Sequence, residues 1–337
     1  MPQIKANNIK YQHKRQQGFT LLELLMVIAL LGVVSIATMT VIIDTKDIES
    51  LDATEKRWDE IRKAIIGDTS LSLNNSPMLS GYVADMGRLP ANLNELVEIG
   101  GQPAWNPILL SSVTPEVNGE LSGGWRGPYV YTAGSKFFRD GWGNDNDTLP
   151  ITDPDYLPPE NYGWNVTLSG VAPDFTDIAV QSLGANKKLN PADADYDEDF
   201  PAVGTLLVNV NQWQLTNPTV PFNIVFNKSP AVDQNGLELR VYFFEDDAVV
   251  NLDKDSIQEE ISATPINLLA SGGLLHTESR SITGPLPMGK IAVVVWCATQ
   301  NKVYDGNCAD STNIQQPYYY TLLPSTVPPI TIPWNIP

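Results

Sequence analysis

Residues 19–43 read FTLLELLMVIALLGVVSIATMTVII, a nearly unbroken apolar run whose one charged residue is Glu23. At 1.5 Å of rise per residue, a helix of this length exceeds the roughly 30 Å hydrocarbon core of a bilayer. No other stretch of the chain comes close, so the sequence predicts a single membrane-spanning helix over 19–43. Lys5, Lys10, Lys14 and Arg15 precede it, and Asp44, Asp47 and Glu49 follow it. Basic flanks stay on the cytoplasmic side. The N-terminus is therefore expected in the cytoplasm and the bulk of the chain beyond the membrane.

Two details separate this run from an ordinary secretory signal. Such a signal is cut at small residues after its apolar region. Here the small residue, Gly18, comes before it, directly behind Lys14-Arg15-Gln16-Gln17. The second detail is Glu23. An ionised acid in lipid costs roughly 2.5–3.5 kcal/mol on insertion scales, so an acid retained there points to function. The plain alternative is a carboxyl that is protonated or reaches the headgroups.

The string Gly18-Phe19-Thr20-Leu21-Leu22-Glu23 resembles the processing site of type IV prepilins and pseudopilins. The resemblance implies cleavage after Gly18 by a prepilin peptidase, removal of the leader 1–18 and methylation of the new Phe19 amine. It also implies an inner-membrane subunit that joins other pilin or pseudopilin subunits on an assembly platform. There Glu23 would pair with the Phe19 amine of a neighbour. A buried charge becomes tolerable once its counter-charge arrives, so this pairing relieves a cost borne by the lone subunit. Thr40 stands where the family often has a helix-kinking proline, a departure from the pattern.

Moving outward, Leu51, Trp58, Ile61 and Ile65 recur at helical spacing within 44–66 and form one apolar stripe, expected to pack on a globular head. Gly67 is the expected helix end. Asn92 and Glu95 have the spacing of a capping box opening a short helix, with Leu93, Leu96 and Val97 as its buried side. Aromatic and aliphatic runs then alternate with Gly, Pro and Asn turns and read as short strands. In order, Gly127-Pro128-Tyr129, Asp140-Gly141-Trp142-Gly143-Asn144 and Ser182-Leu183-Gly184-Ala185 make residues 15–200 similar to the major pseudopilin of type II secretion. Residues 145–159 read as an acidic insertion into that head.

Residues 190–199, NPADADYDED, place aspartates at every second position. A curled loop of this kind can aim several oxygens inward, and calcium takes six to eight oxygen ligands. The glycine and terminal glutamate of an EF-hand are missing. The resemblance implies calcium binding in the loop that follows the serine-leucine-glycine turn. By position the side-chain ligands are Asp193, Asp195 and Asp197, with a carbonyl from Leu183 or its neighbours; Asp199 is a weaker candidate. The loop lacks the family's usual glycine pair, and the alternative is a solvated acidic turn.

From residue 201 onward the chain has no counterpart in such a head. Apolar runs at 205–210, 222–226, 237–244, 291–297 and 318–323 suggest a β-sandwich. Cys297 and Cys308 suit a disulfide in an oxidising compartment, worth about 3 kcal/mol on the chain-entropy model; two buried thiols are the alternative. Tyr318-Tyr319-Tyr320 reads as a strand or a contact patch. The proline-rich stretch 324–337 is expected to lie extended over the surface.

The net charge is −18, and the basic leader accounts for four positive charges, so the remainder carries about −22. So acidic a remainder lacks the basic footprint of a nucleic-acid binder. Only His13 and His276 could supply an imidazole base, and no nucleophile elbow, phosphate loop or cysteine metal cluster is present. The expected protein is α+β and not an enzyme. It has a leader at 1–18, a spanning helix at 19–43, a helix and β-sheet head over 44–200, and an all-β extension over 201–337. Two readings follow: a pseudopilin-like building block acting in protein secretion, or a minor pilin or tip adhesin whose 201–337 region binds an unknown ligand. A hydrolase on a pilin anchor is the weaker third.

Overall fold

The computed structural model describes residues 20–68, 72–73, 76–77, 79–131, 138–189, 199–215, 219–246, 257–270, 276–309, 315–323 and 328–337; for 37–45, 72–73, 76–77 and 276 it describes the backbone alone. Helix α1 runs over Leu21–Ile66. The chain divides into two units, 1–49 and Ser50–Pro337.

In the second unit the helical stripe is buried as the spacing predicts. Ile61 and Ile65 are fully inaccessible, and Trp58 packs at the rim with its indole N–H donating to the Val180 carbonyl at 2.9 Å. The helix stops at Gly67, whose φ of +82° suits a residue without Cβ and whose amide closes on the Lys63 carbonyl at 2.8 Å. A methyl group there would strike the Ser80 carbonyl.

A short helix α2 (Tyr82–Met86) packs on the stripe, and two antiparallel hairpins follow: β1 (Asn106–Leu109) with β2 (Glu120–Gly123), and β3 (Asn165–Val171) with β4 (Asp174–Gln181), the second of them against the stripe. Tyr82, Met86, Leu93, Leu96, Trp164 and Val180 fill the space against Ile61 and Ile65.

Among the described residues, and apart from a two-residue pairing of Gln214–Leu215 with Leu286–Pro287, nine further strands build the rest: β5 (Val220–Phe226), β6 (Gln234–Phe244), β7 (Ile257–Ile261), β8 (Ile266–Leu268), β9 (His276–Ile282), β10 (Gly289–Cys297), β11 (Lys302–Val303), β12 (Tyr318–Leu322) and β13 (Ile330–Trp334). Six of them form one sheet in the order β7-β6-β10-β11, with β8 added to β6 and β12 to β10; three form another in the order β9-β5-β13. In β5 every second residue, Val220, Phe222, Ile224 and Phe226, is buried, the pattern of a strand with one face on a core. β10 is different. Its run from Ile291 to Cys297 is buried throughout, because the six-stranded sheet is covered on both faces. Ile291, Val293 and Val295 share a cluster with the three-stranded sheet. The other face of the sheet meets the β1–β2 hairpin: Thr114 and Tyr242 hydroxyls lie 3.0 Å apart, the Glu120 amide donates to the Tyr319 hydroxyl at 3.0 Å, and Gly123 leaves room for the Phe244 ring.

The α+β class therefore holds, as an N-terminal helix followed mostly by β-sheet. The apolar clusters cross the expected line at residue 200. Ile108, Leu110, Val117 and Leu121 belong to the cluster of the later sheets, while Leu207, Val208, Trp213 and Met288 belong to the cluster around α1. Three local expectations are corrected. Residues 205–210 form no strand: Val208 makes an isolated bridge to Ile178, and Asn209 caps a turn of 3-10 helix at Val210–Gln212. The 324–337 stretch does not simply lie over the surface. β13 pairs parallel with β5, and Ile330, Ile332 and Trp334 are buried. Pro333 is tolerated because β13 is an edge strand that need not donate outward. The capping box is half made: Asn92 accepts from the Glu95 amide at 3.3 Å, but the Glu95 carboxylate goes to Tyr82, Arg88 and the Ala91 amide.

Candidate functional site

The first turn of α1 holds a closed capping arrangement. The Thr20 hydroxyl accepts from the Glu23 amide at 3.2 Å, and Glu23 Oε2 accepts from the Thr20 amide at 3.0 Å and from the Thr20 hydroxyl at 3.1 Å. Thr-x-x-Glu satisfies otherwise orphaned amides of a helix start and sets the carboxylate at the positive end of the helix dipole. Oε1 accepts no bond among the described residues. The Thr20–Glu23 spacing is itself a capping signal, a role for Glu23 beside the assembly charge and the protonated or headgroup-reaching carboxyl expected from the sequence. Gly18 and Phe19 lie outside the described residues.

Beyond this turn, every residue of 20–36 is exposed, among them Leu21, Leu24, Met26, Ile28, Leu31 and Val34. A helix apolar on all sides is a helix meant for burial in other chains or in lipid. Among the described residues no helix is long and apolar enough to cross a membrane. Phe19 and the side chains of 37–45, which complete the expected span, are outside them.

A second locus joins motifs far apart in sequence. Asp140 Oδ1 accepts from the Asn144 amide at 2.8 Å, and its Oδ2 accepts from the Ser182 hydroxyl at 2.5 Å. Burial pushes the Asp140 carboxyl up, opposed by the bonds from Ser182 and Asn144. The Gly141 amide donates to the Thr54 hydroxyl at 2.8 Å, and a methyl group at Gly141 would strike the Ser50 carbonyl. The aspartate–tryptophan turn, the serine-leucine-glycine turn and the helix thus lock together, with Leu183 fully buried beside them. The residues read as an acidic insertion are pinned here as well. Asn146 donates to the carbonyls of Asp155 and Lys187, each at 2.8 Å.

Ser182 and Phe200 exchange backbone bonds of 2.7 and 3.0 Å, closing the neck of the loop between them. Asp193, Asp195 and Asp197 lie in that loop but outside the described residues. Among the described residues no cluster of His, Cys, Asp or Glu is arranged to hold a metal ion. Cys297 and Cys308 form a disulfide with Cα atoms 5.7 Å apart. Cys297 ends β10, and the Cys308 amide donates to the Gln234 side chain at 3.0 Å, so the bridge fixes the loop to the sheet it leaves. The backbone of His276 starts β9; its side chain lies outside the described residues.

Residues 13–39 match the family described as the prokaryotic N-terminal methylation motif, the signature of type IV pilin and pseudopilin precursors. The motif implies processing by a prepilin peptidase and assembly with other pilin subunits. No curated protein and no solved structure matches the chain.

Proposed function

We propose that the chain is a structural subunit of a pseudopilus or type IV pilus-like filament that serves protein secretion across the outer membrane. Before assembly, residues 19–43 anchor it in the bacterial inner membrane, with the N-terminus cytoplasmic and the globular part periplasmic. The supporting observation is the apolar stretch 20–36, exposed at every residue and headed by the Glu23 carboxylate. In a filament this stretch is buried against neighbouring helices, and the Glu23 charge meets the Phe19 amine created by cleavage after Gly18. An inner-membrane platform would feed subunits into the growing filament. Mass spectrometry of the native chain tests the premise. Loss of residues 1–18 with one methyl group on Phe19 supports it; a native chain that keeps 1–18 overturns it.

Supporting roles follow from the same reading. Calcium held by Asp193, Asp195 and Asp197, with a Leu183 carbonyl, would stabilise the loop whose neck is closed by Ser182 and Phe200. The chain acts by assembling rather than by catalysis. A second reading is favoured by the bulk of the paired sheets after residue 219: a minor or tip subunit that displays them to a ligand. Copy number in isolated filaments separates the two. Many copies mark the building block, and one or a few at an end mark the tip.

A further inference from the structure

The two-stranded sheet of β3 and β4 is engaged on one side only. On the β4 side Ile178 bridges Val208, and Ser182 bridges Phe200. Among the described residues β3 pairs with β4 alone; beyond that ladder no backbone–backbone hydrogen bond reaches residues 165–169, and the one side-chain bond to their backbone, from the Thr176 hydroxyl to the Ser169 carbonyl at 3.4 Å, also comes from β4. Exposed edges are usually blunted by lysine, proline or a bulge. Residues 165–169 read NVTLS, without charge or proline, and the irregularity at Ser169–Gly170 disrupts only the far end.

The same strand floors a groove. Thr167, Ser169 and Ala179 lie beneath it and Leu189, Val203 and Leu206 wall it, enclosing about 510 Å³. None of its described lining residues is charged, on a chain of net charge −18. Val203 and Leu206 stand 59% and 41% exposed. Covering them with apolar groups is favourable, whereas a charged group brought there would lose hydration without gaining a counter-charge.

We propose that the β3 edge and this groove together form a docking site for an extended, uncharged polypeptide segment of another protein. Its main chain adds a strand to β3, and its alternate aliphatic side chains enter the groove, so that main-chain bonds supply affinity and the groove supplies selection. A second copy is the competing occupant. An isologous β3–β3 pair would close a dimer, whereas the filament reading, on which this choice of occupant rests, needs open head-to-tail contacts.

The test uses the full chain in detergent micelles and a fluorescein-labelled peptide, acetyl-Thr-Val-Ser-Val-Thr-Val-Ser-amide. Fluorescence anisotropy reads binding, and hydrogen exchange reads the amides of 165–169. The substitutions Thr167→Lys and Val203→Asp fall on exposed side chains, so the fold should survive them. The expected result is saturable binding, slowed exchange at 165–169, and affinity reduced about tenfold or more by each substitution. Absence of binding up to about 1 mM peptide, or binding that neither substitution weakens, overturns the site. Concentration-dependent dimerisation of the chain that Thr167→Lys abolishes overturns the occupant and assigns the edge to a second copy. Filament yield, measured separately, reports on the filament reading alone.

Discussion

Arg88 and Asp246 form a buried ion pair, Nε to Oδ2 at 2.9 Å, across 158 residues of sequence. Arg88 follows α2 and Asp246 follows β6, and the Asp246 amide also donates to the Met86 carbonyl at 2.9 Å. Removing one partner of a buried pair strands the other charge, which costs about 3–5 kcal/mol. Asp246→Ala is therefore expected to lower unfolding free energy by about 3 kcal/mol, since Glu95 still reaches Arg88 at 2.9 Å. Lys63 meets Asp59 at 2.7 Å with both side chains about half exposed, a pair that water screens and that contributes little. Denaturant titration of Asp246→Ala and Lys63→Ala checks the contrast, because a matching loss from Lys63→Ala would deny the Arg88 pair its special place.

Deleting 201–337 should unfold the head as well as remove the later sheets. The deletion strips Leu207, Val208, Trp213 and Met288 from the cluster around Ile61 and Ile65, and removes the indole bond from Trp213 to the Thr176 carbonyl at 3.0 Å. Losses of large core side chains run to about 3–5 kcal/mol each, comparable to the whole stability of a domain. A cooperative thermal transition in the truncated chain would show that the head stands alone.

Glu245 titrates near neutrality. Burial pushes its carboxyl up to about 7, and the nearby Asp174 carboxylate adds to the shift. The folded chain then binds a proton that the unfolded chain releases, so stability falls as pH rises from about 4.5 to about 7. Glu245→Gln should remove that slope and raise stability at pH 8 by on the order of 2 kcal/mol, allowing for the group's partial exposure. Unfolding midpoints at pH 5 and pH 8 give the answer; an unchanged slope in the variant would assign the effect elsewhere.

Calcium should raise the melting midpoint of the chain, and a chelator should lower it, because an ion that binds only the folded form stabilises it by mass action. Asp195→Ala should abolish the response without lowering the midpoint measured in chelator. A midpoint indifferent to calcium removes the ion from the account.

Much of this was legible from residue patterns, for identifiable reasons. The stripe of Ile61 and Ile65, the turn at Gly67 and the strands around Phe222, Val241 and Val293 are local periodicities, and the structure keeps them. The Cys297–Cys308 bridge agrees with the short spacing, which had left two buried thiols as the alternative. What local pattern could not supply was long-range pairing. Trp334 sits in a proline-rich tail, yet its indole donates to the Tyr304 carbonyl at 3.0 Å from inside the core, and nothing near it in sequence signals a parallel partner in β5. The β1–β2 hairpin reads as part of a small head, but its apolar residues complete a sheet built more than a hundred residues later. At Glu23 the cap to Thr20 is as legible as the charge, since Thr-x-x-Glu ahead of an apolar run is itself a helix-start signal.

That double role of Glu23 gives the most direct measurement. Glutamine at this position still accepts a hydrogen bond from the Thr20 amide, as capping boxes allow, but carries no charge. If assembly depends on an anion awaiting the Phe19 amine, filament yield should fall about tenfold or more in both Glu23→Gln and Glu23→Ala, with the melting behaviour of the globular part unchanged. Wild-type yield from Glu23→Gln alongside failure of Glu23→Ala would leave the residue as a helix cap and contradict the pairing account.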